Sequence, residues 1–281
     1  MTSFAVEQLL TGFTVEKGFF AAYGAEVRTY LQPQMRRAST MMPPRVSWDR
    51  FPDVLMLAGE TALKRHPAYS AEKAGDAAAA QELVLALYDA DKAGRLATII
   101  GDRKPMFVSV HAYERDGVNA TIPEVLADVL ASRFGWPVDA AVVQTNIVSH
   151  TGANGFARLA RQAAFSGPIG AGGDYVMVDD FVGMGGTLAN LRGHIEAAGG
   201  KVVAAIALTG KPYSARLALT RERLDELRNK LGDALENWWR ERFGHAFDAL
   251  TESEARYLAR TADADAVRNR IAAAEQAGNS P

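Results

Sequence analysis

The run YVMVDDFVGMGGTL, residues 175–188, decides how this chain folds. Its first four residues are apolar, which is typical of a strand buried on both faces of a parallel sheet. Asp179 and Asp180 follow that strand, and a glycine-rich turn then leads to Thr187 at the start of a helix. Because parallel sheets bind ligands at the carboxyl ends of their strands, the two acids stand where a sugar can offer its hydroxyls.

The glycines of this run predict an anion-binding turn. Gly183, Gly185 and Gly186 let the backbone turn tightly and present N–H groups to a phosphate, and the helix that follows adds its dipole. Thr187 is expected to donate its hydroxyl and to cap that helix. The alternative, an acidic strand end with an empty turn, explains neither the acid pair nor the glycine spacing. No Gly-Lys-Ser or Gly-Lys-Thr follows, so a Walker A loop is excluded and a nucleoside triphosphatase is disfavoured.

Strands and helices alternate on both sides of this run. Short β-rich runs lie at residues 105–110, 140–144 and 202–208, and predicted helices lie at residues 76–93, 121–134 and 155–165 and from Leu188 onwards. Thr121 and Glu124 have the spacing of a capping box, and Gly135 stands where a left-handed cap would end the same helix. The alternation predicts an α/β fold, with a parallel twisted sheet flanked by helices.

Two further regions are predicted around an α/β core of residues 76–212. Residues 1–75 mix aromatics with prolines and keep no long period, which indicates an irregular N-terminal cap. Residues 213–281 favour a helical C-terminal subdomain, with Thr251 and Glu254 as a second capping box and Asp263 or Asp265 opening a further helix. The first of these helices carries an apolar row of Leu217, Leu224, Leu227, Leu231, Leu235 and Trp238. That row is too apolar to face water, so it predicts packing or a homodimer.

Composition excludes several classes of function. There is no cysteine among the 281 residues, which removes disulfides, thiolate nucleophiles and cysteine-ligated zinc. A formal net charge of -2 gives no overall positive field, so nucleic acid and anionic membranes are disfavoured as partners. No apolar stretch approaches the roughly 20 residues that span a bilayer. A cytoplasmic protein without a membrane partner is therefore expected.

Residues 176–188 resemble the 5-phosphoribosyl-1-pyrophosphate signature of the type I phosphoribosyltransferases: four apolar residues, two acids, two apolar residues, a small turn and Gly-Gly-Thr. The order of strands and helices over residues 105–208 is similar to the family core more loosely. The resemblance implies that Asp179 and Asp180 hold the ribose 2′- and 3′-hydroxyls. It implies that the 5′-phosphate is held by Gly183, Met184, Gly185, Gly186 and Thr187. It also implies a nucleobase-like acceptor, and Mg²⁺ held chiefly by substrate oxygens and water.

Two other segments correspond to family elements. The loop of residues 111–120 stands where the family holds pyrophosphate, and it is either that site, with Arg115 and Gly117 as candidates, or a solvated loop. Residues 145–174 stand where the family has a mobile loop, in which Arg158 and Arg161 would bring positive charge to the leaving pyrophosphate. Because these arginines are three apart on a predicted helix, they share a face and can equally form a solvated edge.

The sequence departs from the family pattern at two positions. Gly183 stands where purine-salvage members carry an acid that assists the purine nitrogen, and Met184 stands where a hydroxyl residue is common. In the opposite sense, Lys211 in TGKPYSAR resembles the lysine with which those members contact a purine oxygen. The acceptor base is therefore left open.

Three functions remain as hypotheses. The leading one is a transferase that joins phosphoribose to a nitrogenous base, or that runs the reverse reaction. The runner-up is a non-catalytic phosphoribosyl-nucleotide-binding regulator on the same fold, since a fold does not fix a function. A nucleic-acid-linked accessory protein using the arginine-rich residues 216–242 is the third, and the mixed charge of that stretch favours a solvated face instead.

Overall fold

A five-stranded parallel sheet forms the centre of the structure, a computed structural model that describes residues 43–111, 121–146 and 154–278. Its strands are β1 (Leu55–Met56), β2 (Met106–Ser109), β3 (Val138–Asp139), β6 (Asp174–Val182) and β7 (Lys201–Gly210). They stand in the order β1, β7, β6, β2, β3, and every neighbouring pair is parallel. The two longest strands, β6 and β7, lie at the centre. The predicted α/β class with a parallel sheet is confirmed.

Helices cover both faces of this sheet. Five of them are α1 (Ala62–Arg65), α2 (Tyr69–Lys73), α3 (Ala77–Leu87), α4 (Ala90–Ile100) and α5 (Ile122–Phe134). They share a core with Val176 and Val178 of β6. Tyr175 and Met177 point to the opposite face, where Leu191 of α7 (Gly186–Ala197) packs against them. The apolar run of β6 is thus buried on both faces, as its composition predicts.

Several helix boundaries follow the predicted signals. α5 begins at a capping box in which the Thr121 N–H donates to Glu124 (2.8 Å), and it ends at Gly135 with φ 69°. The helix predicted for residues 76–93 begins as expected, but it ends at Leu87 and a second helix starts after Asp89. The Asp89 carboxylate accepts the N–H groups of Asp91 and Lys92, which makes it a helix cap. The single predicted helix is therefore wrong at its carboxyl end.

The region between β2 and β6 differs from the prediction. The β-rich run at residues 140–144 forms only β4 (Val143–Gln144), which pairs antiparallel with β5 (Phe165–Ser166) in a separate two-stranded sheet. The helix predicted for residues 155–165 ends early, as α6 (Gly155–Ala160). Residues 165 and 166 are instead drawn into the pairing with β4, a long-range contact that no local pattern reveals.

The C-terminal residues are helical, as predicted. They form α8 (Arg221–Phe243), α9 (Glu252–Ala259) and α10 (Ala264–Gly278), with short 3₁₀ turns at Pro212–Ser214 and Phe247–Ala249. Gly232, with φ 75° and ψ 164°, interrupts α8, a break that the apolar row does not predict. The fully buried tryptophan is Trp239, and Trp238 lies half-buried beside it. Among the described helices, none is long and apolar enough to cross a membrane.

The apolar row of these helices packs inside the chain. Leu227, Leu231 and Leu235 share a buried cluster with Phe156 and Leu159 of α6. The C-terminal helices therefore hold α6 in place, and α6 carries one of the candidate arginines. The predicted divisions at residues 75 and 212 and the predicted homodimer stay predictions.

Candidate functional site

The turn after β6 is built so that only glycine fits its corner. Gly185 caps α7 in the left-handed region, with φ 81° and ψ 2°. A Cβ on Gly185 would also overlap the Leu217 side chain. The helix begins at Gly186, so Thr187 is its second residue and not its cap, and the predicted capping role of Thr187 is wrong. The first-turn N–H groups of α7 have no acceptor within the helix, an arrangement that is suited to binding an anion.

The carbonyl groups of the same turn are held from outside. Ser214 Oγ donates to the Gly183 carbonyl (2.6 Å), and Thr251 Oγ1 donates to the Met184 carbonyl (2.6 Å). Arg45 Nη2 approaches the Gly186 carbonyl at 3.4 Å. With its carbonyls fixed by three separate parts of the chain, the turn is preorganised to present its N–H groups on the other side.

A buried ion pair anchors this arrangement. Arg45 donates to both carboxylate oxygens of Glu254, at 2.7 and 3.0 Å, and the two side chains are only 2% and 3% exposed. Arg45 Nε also donates to Asn190 on α7 (2.5 Å). A Cβ on Gly186 would lie 2.5 Å from Glu254 Oε1, so the second glycine of the pair is required by this contact. One ion pair thus joins the stretch before β1, the start of α7 and α9.

A first cavity of about 60 Å³ lies over the turn. A buried water needs roughly 10–15 Å³, so the cavity has room for a group of phosphate size and not for a whole nucleotide. It is lined by Gly183 to Thr187, Asp179, Arg158, Arg161, Gln162, Ala163, Phe181, Val182, Arg45, Asn190 and Glu254. The predicted phosphate turn, one of the two predicted acids and both predicted arginines therefore meet at one place.

Polar atoms at this cavity lack partners. Among the described residues, buried Arg161 Nε and Gln162 Oε1 have no hydrogen-bond partner. Arg158 Nη1 lies 3.1 Å from the position that a Cβ on Gly183 would occupy, so the missing side chain makes room for the guanidinium. Burial lowers the pKa of Arg158. Buried polar groups are normally satisfied, and an anion in the cavity would satisfy Arg161 Nε.

α6 positions the two arginines in different ways. A Cβ on Gly155 would overlap the Tyr257 ring, and Phe156 packs edge-on against the same ring with centroids 5.2 Å apart. Arg158 therefore sits on a helix fixed against α9. Arg161 lies just after the helix, in extended conformation, so the predicted shared helical face is wrong. Both side chains still reach the first cavity.

The two acids occupy different environments. Asp179 is 6% exposed and faces the first cavity. Burial, and then the neighbouring Asp180 carboxylate, raise the pKa of Asp179 well above its ordinary value. Asp180 is half-buried and lines neither this cavity nor the next one described. A carboxyl that holds its proton can donate a hydrogen bond, and an ionised one can only accept.

A second cavity, of about 460 Å³, adjoins the first and shares Arg158, Phe181, Gly183 and Met184 with it. Its other lining residues are Gly155, Lys211, Tyr213, Ser253, Arg256, Tyr257 and Arg260. Lys211, the predicted base contact, therefore lies in a space beside the turn and not within the phosphate-sized cavity. Arg115 and Gly117 lie outside the described residues.

Several residues at the site were not predicted. Arg45, Glu254, Ser214, Thr251 and Gln162 all touch the turn or its cavity. Thr251 and Glu254 do form the predicted capping box, with the Thr251 N–H donating to Glu254 (2.9 Å). Their second role could not be predicted, because Arg45 and Glu254 are 209 residues apart in the chain.

Comparison with known proteins gives relatives but no family. No protein-family model matches the chain. Protein TraN of Escherichia coli is 43% identical over 230 residues, which cover 82% of this chain and 51% of TraN. An uncharacterized protein of Haemophilus influenzae is 35% identical over 152 residues, covering 54% of this chain and 34% of that protein. The chain thus spans about half or less of the length of the curated relatives it matches.

Solved structures similar to the chain include phosphoribosyltransferases. Adenine phosphoribosyltransferase from Thermoanaerobacter pseudethanolicus has a TM-score of 0.30 and 20% identity, covering 47% of this chain and 74% of that one. The enzyme from Leishmania tarentolae has a TM-score of 0.31 and 16% identity, covering 74% of this chain and 98% of that one. At these scores the likeness carries no weight beyond what the sheet and the turn show in the chain itself.

Proposed function

We propose that the first cavity binds the 5′-phosphate of 5-phosphoribosyl-1-pyrophosphate and that the protein transfers phosphoribose to a nitrogenous base. The observation that carries this proposal is the convergence of a glycine turn at a helix start, two arginines and a buried acid on one phosphate-sized space. Backbone N–H groups at a helix start are suited to phosphate, and arginine side chains match its geometry. The resemblance of residues 176–188 to the phosphoribosyl-pyrophosphate signature agrees with this.

Each residue at the turn has a role in this proposal. The N–H groups of Gly186 and Thr187 donate to the phosphate. Arg158 and Arg161 line the same cavity, so in this proposal they neutralise the 5′-phosphate and not the leaving pyrophosphate that the resemblance assigned to them. Asp179 lies next along the ligand and donates to or accepts from a ribose hydroxyl, and Asp180 keeps its predicted role at the other hydroxyl. Binding energy at the phosphate fixes the sugar, so that the reacting carbon is held in one orientation.

The transfer step needs no nucleophile from the protein, because the acceptor base itself attacks the ribose. The bond between ribose C1 and the pyrophosphate oxygen breaks, and its electron pair leaves with pyrophosphate. The lone pair of the acceptor's ring nitrogen forms the new bond to C1, and a proton on that nitrogen passes to solvent. Gly183 offers no carboxylate for this proton, so the acceptor must be nucleophilic unaided or be deprotonated by another group.

Mg²⁺ fits this proposal as an ion bound with the substrate. Its ligands would be chiefly substrate oxygens and water, as is usual for Mg²⁺, while Asp179 and Asp180 orient the ribose hydroxyls. The described parts of the chain hold no group of three or more potential metal ligands. When bound, Mg²⁺ would neutralise charge on the leaving pyrophosphate.

A regulator that binds the same ligand without turnover is the second candidate, because Gly183 lacks the acid expected of a purine-salvage enzyme. Calorimetry with phosphoribosyl pyrophosphate and Mg²⁺, followed by pyrophosphate release across a panel of bases, separates the two. Binding with release supports the transferase, and binding without release supports the regulator. The Asp179→Asn, Asp180→Asn double variant should lose binding while remaining folded, and unchanged affinity would refute the site.

The single variant Asp179→Asn supplies a control for folding. Since the folded pKa of Asp179 is raised, its ionisation disfavours the folded state at neutral pH. Asparagine cannot ionise, so Asp179→Asn should melt at a higher temperature than the native protein at pH 7, with the gain shrinking as the pH falls. Weaker binding in a more stable protein cannot be attributed to misfolding.

A further inference from the structure

Besides Arg158, which it shares with the first cavity, the second cavity is lined by three further cations. Lys211, Arg256 and Arg260 line it, and none of them forms an ion pair with a carboxylate in the part of the chain that the structure describes. No acid occurs among its described lining residues. Elsewhere in the C-terminal helices, arginines do pair, as Arg228 does with Glu236 at 2.8 Å. An unbalanced positive charge in a concave space favours an anionic ligand.

Aromatic rings complete the same cavity. Tyr213 is 53% exposed, unusual for a large side chain in this structure, and the Arg256 guanidinium lies 4.4 Å from the centre of its ring. Phe181 and Tyr257 also line the space. The volume of about 460 Å³ lies within the range of small-molecule sites. Rings and cations at this scale suit a planar heterocycle and not an extended polymer.

Hydrogen bonds link this cavity to the phosphate turn. Arg256 donates to Ser253 Oγ (3.0 Å), the Ser253 and Ser214 hydroxyls lie 3.0 Å apart, and Ser214 donates to the Gly183 carbonyl. Arg256 is thereby held in a fixed position relative to the turn. A ligand that occupies both spaces would bring its phosphate to the turn and its second part to the cations.

We propose that the second cavity binds an aromatic nitrogen heterocycle that carries an acidic group, and that Lys211, Arg256 and Arg260 hold that group. The inference rests on the proposed function, because it names the acceptor class for the same site. A neutral base offers these three cations no counter-charge. An acidic substituent pairs with them, while the ring lies against Tyr213 and Tyr257.

Matched pairs of heterocycles test this assignment. Orotate and uracil, and nicotinate and nicotinamide, differ by an acidic group on one ring, and each is titrated into protein saturated with ribose 5-phosphate. The acid of each pair should bind at least about tenfold more tightly than its neutral partner. Arg256→Gln and Lys211→Gln should each lower the affinity for the acid by about tenfold to a hundredfold, the loss of one charge-assisted hydrogen bond, with little effect on the neutral partner. Arg95→Gln, an exposed arginine on α4, is the matched control and should change neither.

Each outcome decides between distinct failures. Ribose 5-phosphate is titrated first and alone, and its failure to bind would refute the proposed function itself. If it binds but acidic and neutral rings bind equally, or the preference survives both substitutions, the acceptor assignment is wrong. Inorganic pyrophosphate gives a further test of the assignment. If the native protein binds pyrophosphate and neither acid, and both variants bind pyrophosphate more weakly, the assignment is also wrong, because the cations would then hold the leaving group.

Discussion

Replacing Gly183 by aspartate tests the charge arrangement of the first cavity. Gly183 is not among the glycines with positive φ, so its backbone accepts a side chain. The new Cβ would lie 3.1 Å from Arg158 Nη1, which brings the carboxylate within ion-pair reach of that guanidinium. Arg158 would then pair with the protein instead of the phosphate, and a new negative charge would face the ligand.

The magnitude follows from two contributions. A hydrogen bond to a charged group contributes about 1.5–3 kcal/mol, which alone lowers affinity by about tenfold to a hundredfold. Repulsion between unit charges about 4 Å apart adds about 4 kcal/mol at an effective dielectric constant of 20, before screening by salt. The affinity of Gly183→Asp for ribose 5-phosphate should therefore fall by at least about a hundredfold at low ionic strength.

The matched variant Gly183→Asn separates charge from size. It adds the same shape without the charge, so calorimetric titration should show a loss of less than about tenfold, with both variants melting within a few degrees of the native protein. Equal losses in the two variants would show that crowding and not charge acts at Gly183. Intact affinity in Gly183→Asp would refute the phosphate turn.

Three further predictions concern the structure around the site. Glu254→Gln leaves Arg45 charged and buried, so the free energy of unfolding in urea should fall by about 3–5 kcal/mol. The control Glu275→Gln, in the more exposed pair with Arg242, should lower it by only about 0–1 kcal/mol. Similar losses in the two variants would mean that the buried pair is not an anchor. Burial, and then Arg45, lower the pKa of His245 to about 4. Below pH 6.5, His245 is therefore protonated in the unfolded chain while it stays neutral in the folded protein, which favours unfolding. The native protein should thus lose about 3 kcal/mol more than His245→Asn between pH 7 and pH 4, and parallel pH profiles would contradict this. Truncation after Pro212 removes the helices that cover Phe156 and Leu159 and should cause aggregation in light scattering, whereas a monomeric fragment that binds ribose 5-phosphate would show the region to be dispensable.

The parts of the site that sequence could predict depend on short-range signals. The buried strand, the glycine turn and the capping boxes at Thr121 and Thr251 each involve residues no more than a few positions apart. Such patterns depend on local backbone geometry, so they can be recognised without knowing the contacts between distant parts of the chain. They were sufficient to locate Asp179 and the turn from Gly183 to Thr187.

The rest depends on contacts between distant parts of the chain. Arg45 lies in a proline-containing stretch that shows no hydrophobic periodicity. The presence of its partner Glu254 is already accounted for by a local capping box, so nothing in the sequence indicates a second contact. Arg161 reaches the cavity because residues 165 and 166 pair with β4 and end the helix early. Tertiary pairing overrode local preference in each case, so neither the contact of Arg45 nor the extended conformation of Arg161 could be assigned from its neighbours in sequence.

Amide spectra during a titration with ribose 5-phosphate test the central claim most directly. Nitrogen–proton correlation spectra of the assigned protein report on the backbone N–H groups that are proposed to hold the phosphate. The amides of Gly185, Gly186 and Thr187 should shift saturably, with the guanidinium signals of Arg158 and Arg161 following the same binding curve. If those amides stay unmoved at concentrations where other regions respond, or if nothing responds, the turn is not a phosphate site.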